Sequence, residues 1–546
     1  MIKKVKLIHY FIGVLFLLSL FNLTDYGSDK KQQKTIVILS INDLHGYLDS
    51  YYEEKDLDGK KKKIERGGAA RIASKIKSIK EEYPGSVLTV SSGDHYTGKY
   101  YLHYRGEAIN SVLSRMGINA ATLGNHEFDK GDSELAKSLE FCTFQIIESN
   151  VSINKDSPLW GKFKEDSIIE RDGIKIGVLG IMTPEFPVIT RGGDSMRVNR
   201  DLEQCARLRA KKLKEQDAAD IVVALTHIGL DNDKVLAEMV EEIDVVCGGH
   251  SHDLLKKNEE IIVHHPGGKT TIIVQTGRYG EYLGLLKLKI VKKRIVGHIW
   301  EPVLIDSNIP EDPEIKALID SYRSKLPPVS ILTHLKEPLD CRADLVRSQE
   351  TAAGDFICDT IRDYFKIDIV FQNGGGIRSD RIIPEGPVST ADIDSILPFE
   401  NQIIIMNLKG KVVKEALEQS VAALPKPSGA FLQVSGLRFT AQIQYISQEL
   451  SMGKDGIPVG IKIPGNRIVN AEVFDSMGEY HDLLPEKVYR VAVNSFIAAG
   501  GNGYFMFKEA DSFINTYITL AQVMKTVLET KSGISPNLDG RIKIIQ

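Results

Sequence analysis

Residues that can bind metal recur in this 546-residue chain wherever a short apolar run stops. TIVILSI ends in Asn42-Asp43-Leu44-His45, VLTVSS in Gly93-Asp94, and AATL in Gly124-Asn125-His126-Glu127. DIVVALT ends at His227, and IDVVCGG at His250-Ser251-His252. Carboxylate, amide oxygen and imidazole together favour Zn, Mn, Fe or Co over calcium, whose ligands are all oxygen. Two such ions about 3.5–4 Å apart need a bridging carboxylate, and together can clamp the attacking and leaving oxygens of an in-line displacement. Asp94, a lone carboxylate after a rigid strand, is the natural bridge. A single DxH pair or a lone histidine is more often a hydrogen-bonded core or surface group. Five such ends in series are the signal.

Elements of a particular kind must present these ends. Each run is short, β-branched or aliphatic, and bounded by Gly, Asn or Asp, which suits strands buried on both faces; KIGVLGIM is a sixth. Between the first two runs, Ile72, Ile76, Ile79 and Tyr83 recur at helical spacing and leave lysines outside. An α/β sandwich with mixed sheets is predicted from Thr35 to about Ile290. Ligands of open α/β sheets bind beyond the carboxyl ends of the strands, so the five ends converge. Gly93, Gly124 and Gly248-Gly249 permit sharp turns there. IPEDPEIKALIDSYRSKLPP has a proline at each end, early acidic and late basic residues, and predicts a capped helix linking two domains. A second α/β domain should follow, with a helix over 355–364, the strand IDIVFQN, a helix in KGKVVKEALEQSV and a late strand YRVAVNSF. The charged run YYEEKDLDGKKKK at 51–63 lacks periodicity and is expected to be a solvated loop.

Length alone calls for two large domains. A composition 42% apolar and 26% charged is that of a soluble globular protein. A net charge of -4 argues against binding a nucleic-acid polymer through its backbone. An anionic substrate would need local positive charge, which bound metal supplies. The five cysteines (Cys142, Cys205, Cys247, Cys341, Cys358) form no CxxC pair, which excludes a cysteine-based zinc site and a dense disulfide framework; Cys142 and Cys247 read as small buried residues. Lys3, Lys4 and Lys6 precede an apolar stretch from Phe11 to Leu23, the pattern of an export leader over 1–28. If uncleaved, that stretch would be the chain's one membrane anchor. Export to the periplasm, cell surface or medium is expected.

DLH, GDHYTG, TLGNHEFD, a strand-end THIG and GGHSH resemble the signature of calcineurin-like metallophosphoesterases, and in detail their 5′-nucleotidase family, with its UDP-sugar hydrolase and 2′,3′-cyclic nucleotide phosphodiesterase relatives. The resemblance runs from Thr35 to about Phe507. It implies a four-layer α/β-β/α sandwich over 35–310, a linker helix over 311–333 and a C-terminal nucleotide-binding α/β domain over 334–546. It places Asp43, His45, Asp94 and His252 at one divalent metal and Asp94, Asn125, His227 and His250 at the other, Zn or Mn first, with Co or Fe as further candidates. His252 stands where related proteins carry Gln or Asn. His126 is expected to meet the phosphoryl oxygens, oriented by Asp129 three residues on.

Three segments of the second domain resemble the family's substrate half: QNGGGIRS with Asn373 and Arg378, GAFLQVSGL with Phe431, and NSFIAAGGNGY with Phe496 and Asn502. Phe431 and Phe496 would grip a base between their rings, and base–aromatic stacking tolerates any base. Arg347 falls on a further family arginine. Asn502 stands where the family usually has Asp. The resemblance implies release of phosphate from nucleoside 5′-monophosphates by a hydroxide held between two metals. UDP-sugar or cyclic-nucleotide hydrolysis and a catalytically silent nucleotide-binding surface protein are the alternatives.

Overall fold

A computed structural model of the chain describes residues 33–545 apart from 58–59, 191, 194, 476 and 511; the leader lies outside them. Five strands carry the polar ends: β1 (Lys34–Ile41), β2 (Val87–Ser91), β3 (Ala120–Ala121), β4 (Ile221–His227) and β5 (Val245–Cys247). β1, β2 and β3 run parallel in one sheet, which Tyr282–Val291 extends antiparallel beyond β1. β4 and β5 are parallel neighbours in a second sheet, flanked by Ile174–Met182 and Thr270–Val274.

Strands that are apolar on both sides must be covered on both sides, and these are. Ile36, Ile38, Leu88 and Val90 of the first sheet share one core with Val223, Val245 and Ile272 of the second. Helices Ala69–Glu82 and Glu107–Met116 cover the outer face of the first sheet. Helices Leu202–Glu215 and Leu230–Met239 cover that of the second. The layers are therefore α/β-β/α.

Helix Pro313–Arg323 follows, with Pro at its first position and the Asp312 side chain accepting from the Glu314 and Ile315 amides. Its Ile315 and Ile319 are buried in the core of the first domain. The helix is thus fastened to the first domain, and the chain crosses to the second beyond it. There a five-stranded sheet has the order Leu432–Ser435, Ile369–Asn373, Val488–Asn494, Gln402–Lys409, Phe513–Thr519. Helix Ala352–Phe365 packs in the core on one face and helix Gly410–Ser420 in the core on the other.

Two expectations need correction. The run 51–63 is no loop: Ser50–Leu57 and Lys60–Gly67 pair antiparallel in register from Ser50↔Gly67 to Leu57↔Lys60. Charged composition does not exclude strand pairing, which is carried by the backbone. Cys142 is only partly buried, while Cys247 is buried as expected. All five cysteines are free thiols.

Asp355, in the first turn of Ala352–Phe365, is 1% exposed, and neither carboxyl oxygen has a hydrogen-bond partner among the described residues. Burial pushes its carboxyl up to about 9 against the pull of Arg541, with Glu350 adding to the rise. The folded state therefore holds this proton far more tightly than the unfolded chain, whose aspartates titrate near about 3.9. The stabilisation is full below about pH 4 and is lost as pH rises towards 9. Asp355→Asn cannot ionise. Its unfolding free energy in urea is expected to fall less than the wild type's between about pH 5 and about pH 9. Parallel pH dependence in the two proteins would refute a neutral buried carboxyl.

Candidate metal centre

Beyond β1, β2 and β5 the backbone takes an unusual course. Asp43, His45, Asp94, His250 and His252 have φ of 49°, 46°, 55°, 79° and 62°, the left-handed region that L residues avoid. Such strain is of order 1–3 kcal/mol per residue, persists only where the surroundings enforce it, and clusters at functional sites. Here the loops enforce one another. The Asp43 amide donates to the Gly93 carbonyl at 2.9 Å, and the His45 amide to that of Asp94 at 3.0 Å. The buried Glu127 carboxylate accepts from the Asp94, His95 and Gly124 amides at 3.0, 2.6 and 2.7 Å. Gly124 must lack a side chain, since a Cβ there would lie 2.0 Å from the Asp94 carboxylate.

Two clusters result. In one, His252 Nε2 is 3.2 Å from Asp43 Oδ1 and 3.0 Å from His45 Nε2. In the other, His227 Nε2 is 3.1 Å from Asp94 Oδ2 and 3.2 Å from His250 Nδ1. Asp94 belongs to the second group and also, with His45 and His126, to a third set of converging donor atoms. It therefore stands between the two. His227 donates its Nδ1 proton to the Ser92 carbonyl at 2.6 Å, so that Nε2 is the nitrogen that faces inward. Asp43 is held at its other oxygen by the Asn42 side chain at 2.8 Å and the His250 amide at 3.0 Å. The outer nitrogen of His252 faces the Arg278 guanidinium at 3.3 Å.

Fit to a divalent cation can be judged from what these groups lack. Asp43 Oδ1 and Asn125 Oδ1 are buried without a hydrogen-bond partner among the described residues, although Asp43 is 0% exposed. Lone pairs gathered this closely and left unsatisfied suit a cation. The charge states agree. Burial opposes ionisation of Asp43 and Asp94, but the imidazoles outweigh it and hold both carboxyls below the usual range. Burial lowers the affinity of His45 and His252 for a proton, which favours the ligand form. Burial also opposes a proton on His227, yet Asp94 pushes that imidazole up to about 10, so a cation binding there would displace a proton.

His126 sits over the clusters, its Nδ1 2.7 Å from Asp129 Oδ2 and its amide donating to Asp94 Oδ1 at 3.0 Å. Burial works against its protonation, but Asp129 and Asp94 raise it above the ordinary imidazole value. Asp129 is not a helix N-cap: it follows the single turn His126–Phe128.

A cavity of about 550 Å³ joins this centre to the second domain, with Asp94, Asn125, His126, Asp129, His250 and His252 on one side and Arg347, Asn373, Arg378, Phe496 and Asn502 on the other. Arg347 is half-buried, with its Nε buried and unpartnered among the described residues; burial lowers it to about 10, with Arg378 contributing. Asn373 donates to Asn502 Oδ1 at 2.8 Å and accepts from Asn494 at 2.7 Å. Asn502 has φ 55°, a conformation asparagine tolerates well, and its amide oxygen takes the hydrogen bond a carboxylate would take. The Phe496 ring lies against Gly501, where a Cβ would come within 2.5 Å of it.

Phe431 is the correction. It is 0% exposed, packed among Leu417, Val434 and Tyr504 in the domain core, and absent from the cavity wall. It immediately precedes the buried strand Leu432–Ser435 and packs into the core. Sequence reasoning also missed Glu127 and Phe399. Glu127 follows the ligand motif directly, and three backbone amides point at it. Phe399, from the second domain, stacks on His126; nothing in its local sequence announces that.

Comparison with known proteins agrees with this geometry. Residues 36–254 match the family model for calcineurin-like phosphoesterases, and residues 331–509 that for the 5′-nucleotidase C-terminal domain. The 5′-nucleotidase of Bos taurus is 30% identical over 93% of this chain and 90% of its own. The trifunctional nucleotide phosphoesterase protein of Bacillus subtilis is 28% identical over 93% of this chain, which spans only 35% of that longer protein. The crystal structure of a 5′-nucleotidase precursor from Thermus thermophilus superposes with a TM-score of 0.83 at 29% identity, covering 94% of this chain and 99% of the other. The chain is a metal-dependent phosphoric ester hydrolase, and it belongs to the 5′-nucleotidase family.

Proposed function

We propose that the chain releases phosphate from nucleoside 5′-monophosphates, with two divalent cations at the centre and the substrate held across the two domains. One observation carries the proposal: the paired clusters around Asp94 open into a single cavity whose far wall is formed by Arg347, Arg378 and Phe496. Asp43, His45, Asp94 and His252 would hold one cation, and Asp94, Asn125, His227 and His250 the other. When bound, the cations supply positive charge to the phosphoryl oxygens and acidify water for in-line attack. His126, its Nδ1 fixed by Asp129, offers a proton to the oxygens on which charge develops. Arg347 and Arg378 neutralise the anion as it enters. The base stacks on Phe496, and Asn502 with Asn373 receives the ribose. The catalytic half (35–310), the helical link (311–333) and the substrate half (334–546) are the functional units of this proposal, and the leader places them outside the cytoplasm.

A second cavity of about 550 Å³ lies on the other side of His45, beside Tyr47, Tyr279 and Arg381. It meets the first at Thr97, Arg378 and Pro398. That space favours, as a second reading, substrates with a further group on phosphorus, such as UDP-sugars. The test is product analysis of the purified chain on AMP, UDP-glucose and 2′,3′-cAMP with added Mn²⁺ or Zn²⁺. Phosphate from AMP at the highest kcat/KM is expected. UMP and sugar phosphate from UDP-glucose as the fastest reaction would move the chain to the second reading, and nucleotide binding with no turnover under any metal would mark it as silent.

A further inference from the structure

Asp355 lies outside the cavity that joins the domains, in the first turn of helix Ala352–Phe365. It is 1% exposed, and neither carboxyl oxygen has a hydrogen-bond partner among the described residues. One oxygen each from Glu350, Asp355 and Asp539 lies within 4.8 Å of the other two. Arg541 is a neighbouring cation, but its five N–H groups are already taken. Nε donates to Asp539 at 2.8 Å, and one terminal nitrogen donates to Asp359 at 2.7 Å and to the Val434 carbonyl at 3.0 Å. The other terminal nitrogen donates to Asp359 at 3.0 Å and to Asp539 at 2.5 Å. Arg541 Nε therefore stands 3.5 Å from Asp355 with no proton left to give. Glu350 accepts from the amides of Asp539, Gly540 and Ile542 at 3.2, 2.9 and 2.8 Å. Those bonds fix its direction and leave acceptor capacity, since an ionised carboxylate has about four lone-pair sites.

We propose that Glu350, Asp355 and Asp539 form a calcium site that clips the C-terminal strand Ile542–Ile545 to the start of helix Ala352–Phe365. All its donors are carboxylate oxygens, which suit a hard cation, whereas the imidazole-rich clusters around Asp94 suit transition metals. Calcium holds oxygens at about 2.3–2.6 Å, so two oxygens on one ion are at most about 5 Å apart, a span that contains this group. Calcium also accepts irregular coordination completed by water, whereas magnesium demands a near-ideal octahedron. Asp539 is exposed and gives the ion a way in, while the buried Asp355 closes the site from below. In the cation-free chain the proton on Asp355 relieves repulsion among the carboxylates; a bound ion takes over that role.

The Mn²⁺-loaded chain, freed of unbound metal, would be titrated with CaCl₂ in a calorimeter. One Ca²⁺ per chain should bind with a Kd of about 10⁻⁴–10⁻³ M, the range of extracellular calcium modules. Asp355→Asn and Asp539→Asn should each weaken binding about thirtyfold or more, because the charge count of the ligands sets calcium affinity. Asp359→Asn removes a charge beside the same guanidinium but outside the group, and should stay within about fivefold of wild type. Ca²⁺ should raise the melting temperature of the wild type with the logarithm of its concentration above Kd, and leave the Asp355 and Asp539 variants unmoved. Cooperative melting establishes that each variant is folded; if Asp355→Asn is not, the exposed Asp539 position decides alone. No saturable heat up to about 10 mM Ca²⁺, ten times the weakest expected Kd, would overturn the proposal. So would wild-type affinity in a folded Asp539→Asn chain, or an equal loss in Asp359→Asn.

Discussion

Asp94→Ala is expected to lower phosphate release by at least about a thousandfold. Removing one donor to a developing charge typically costs about 10²–10³ in rate, and Asp94 serves more than one such group. It contacts His227 in one cluster, converges with His45 and His126, and accepts the His126 amide. Its loss should also show in metal content, which elemental analysis would find reduced. Asp94 has φ 55°, so alanine adds backbone strain to the loss of the ligand. Asp94→Asn separates the two, since asparagine accepts that backbone conformation and keeps one oxygen but not the charge. It should melt near the wild type and still be severely impaired. Undiminished turnover in the alanine variant would sink a centre bridged by Asp94.

Phe496→Ala should act on a different quantity. The ring lines the far wall of the cavity, on the domain opposite the paired clusters. Stacking of a base on an aromatic ring is worth about 1–3 kcal/mol. KM for AMP is therefore expected to rise about tenfold to a hundredfold while kcat stays within about threefold. Hydrolysis of p-nitrophenyl phosphate, which has no base, should be nearly unaffected. A fall in kcat with unchanged KM would show that the ring does not hold the nucleoside. Phe431 provides the contrast, since truncating a buried core phenylalanine costs about 3–5 kcal/mol of stability. Its loss would appear in the melting curve.

The difference between these two phenylalanines marks how far the sequence could be read. Strand ends were legible because two signals coincide there: an apolar run stops, and a residue with ligand chemistry follows a glycine or asparagine. The four layers followed from strands without a polar face. Phe431 was assigned by the resemblance of GAFLQVSGL to the family's substrate half, and nothing local tells that this residue packs into the core. The hairpin at 50–67 was obscured by its charged composition. Glu127 and Phe399 were beyond reach for another reason. Their roles depend on partners brought near by folding: the Asp94 loop in one case and His126 across the domain boundary in the other. Sequence patterns report what a residue can do, whereas packing decides what it is placed to do.

The donors around Asp94 come from both sheets. Asp43, His45, Asp94 and Asn125 follow strands of the first, and His227, His250 and His252 follow strands of the second. Neither of the paired clusters is complete on one sheet, because each takes at least one histidine from the second sheet and a carboxylate from the first. A cation held by a full paired cluster therefore requires docked sheets, so its capture reports on the folded sandwich. A fragment holding only the first sheet would keep the convergence of His45, Asp94 and His126 but neither paired cluster.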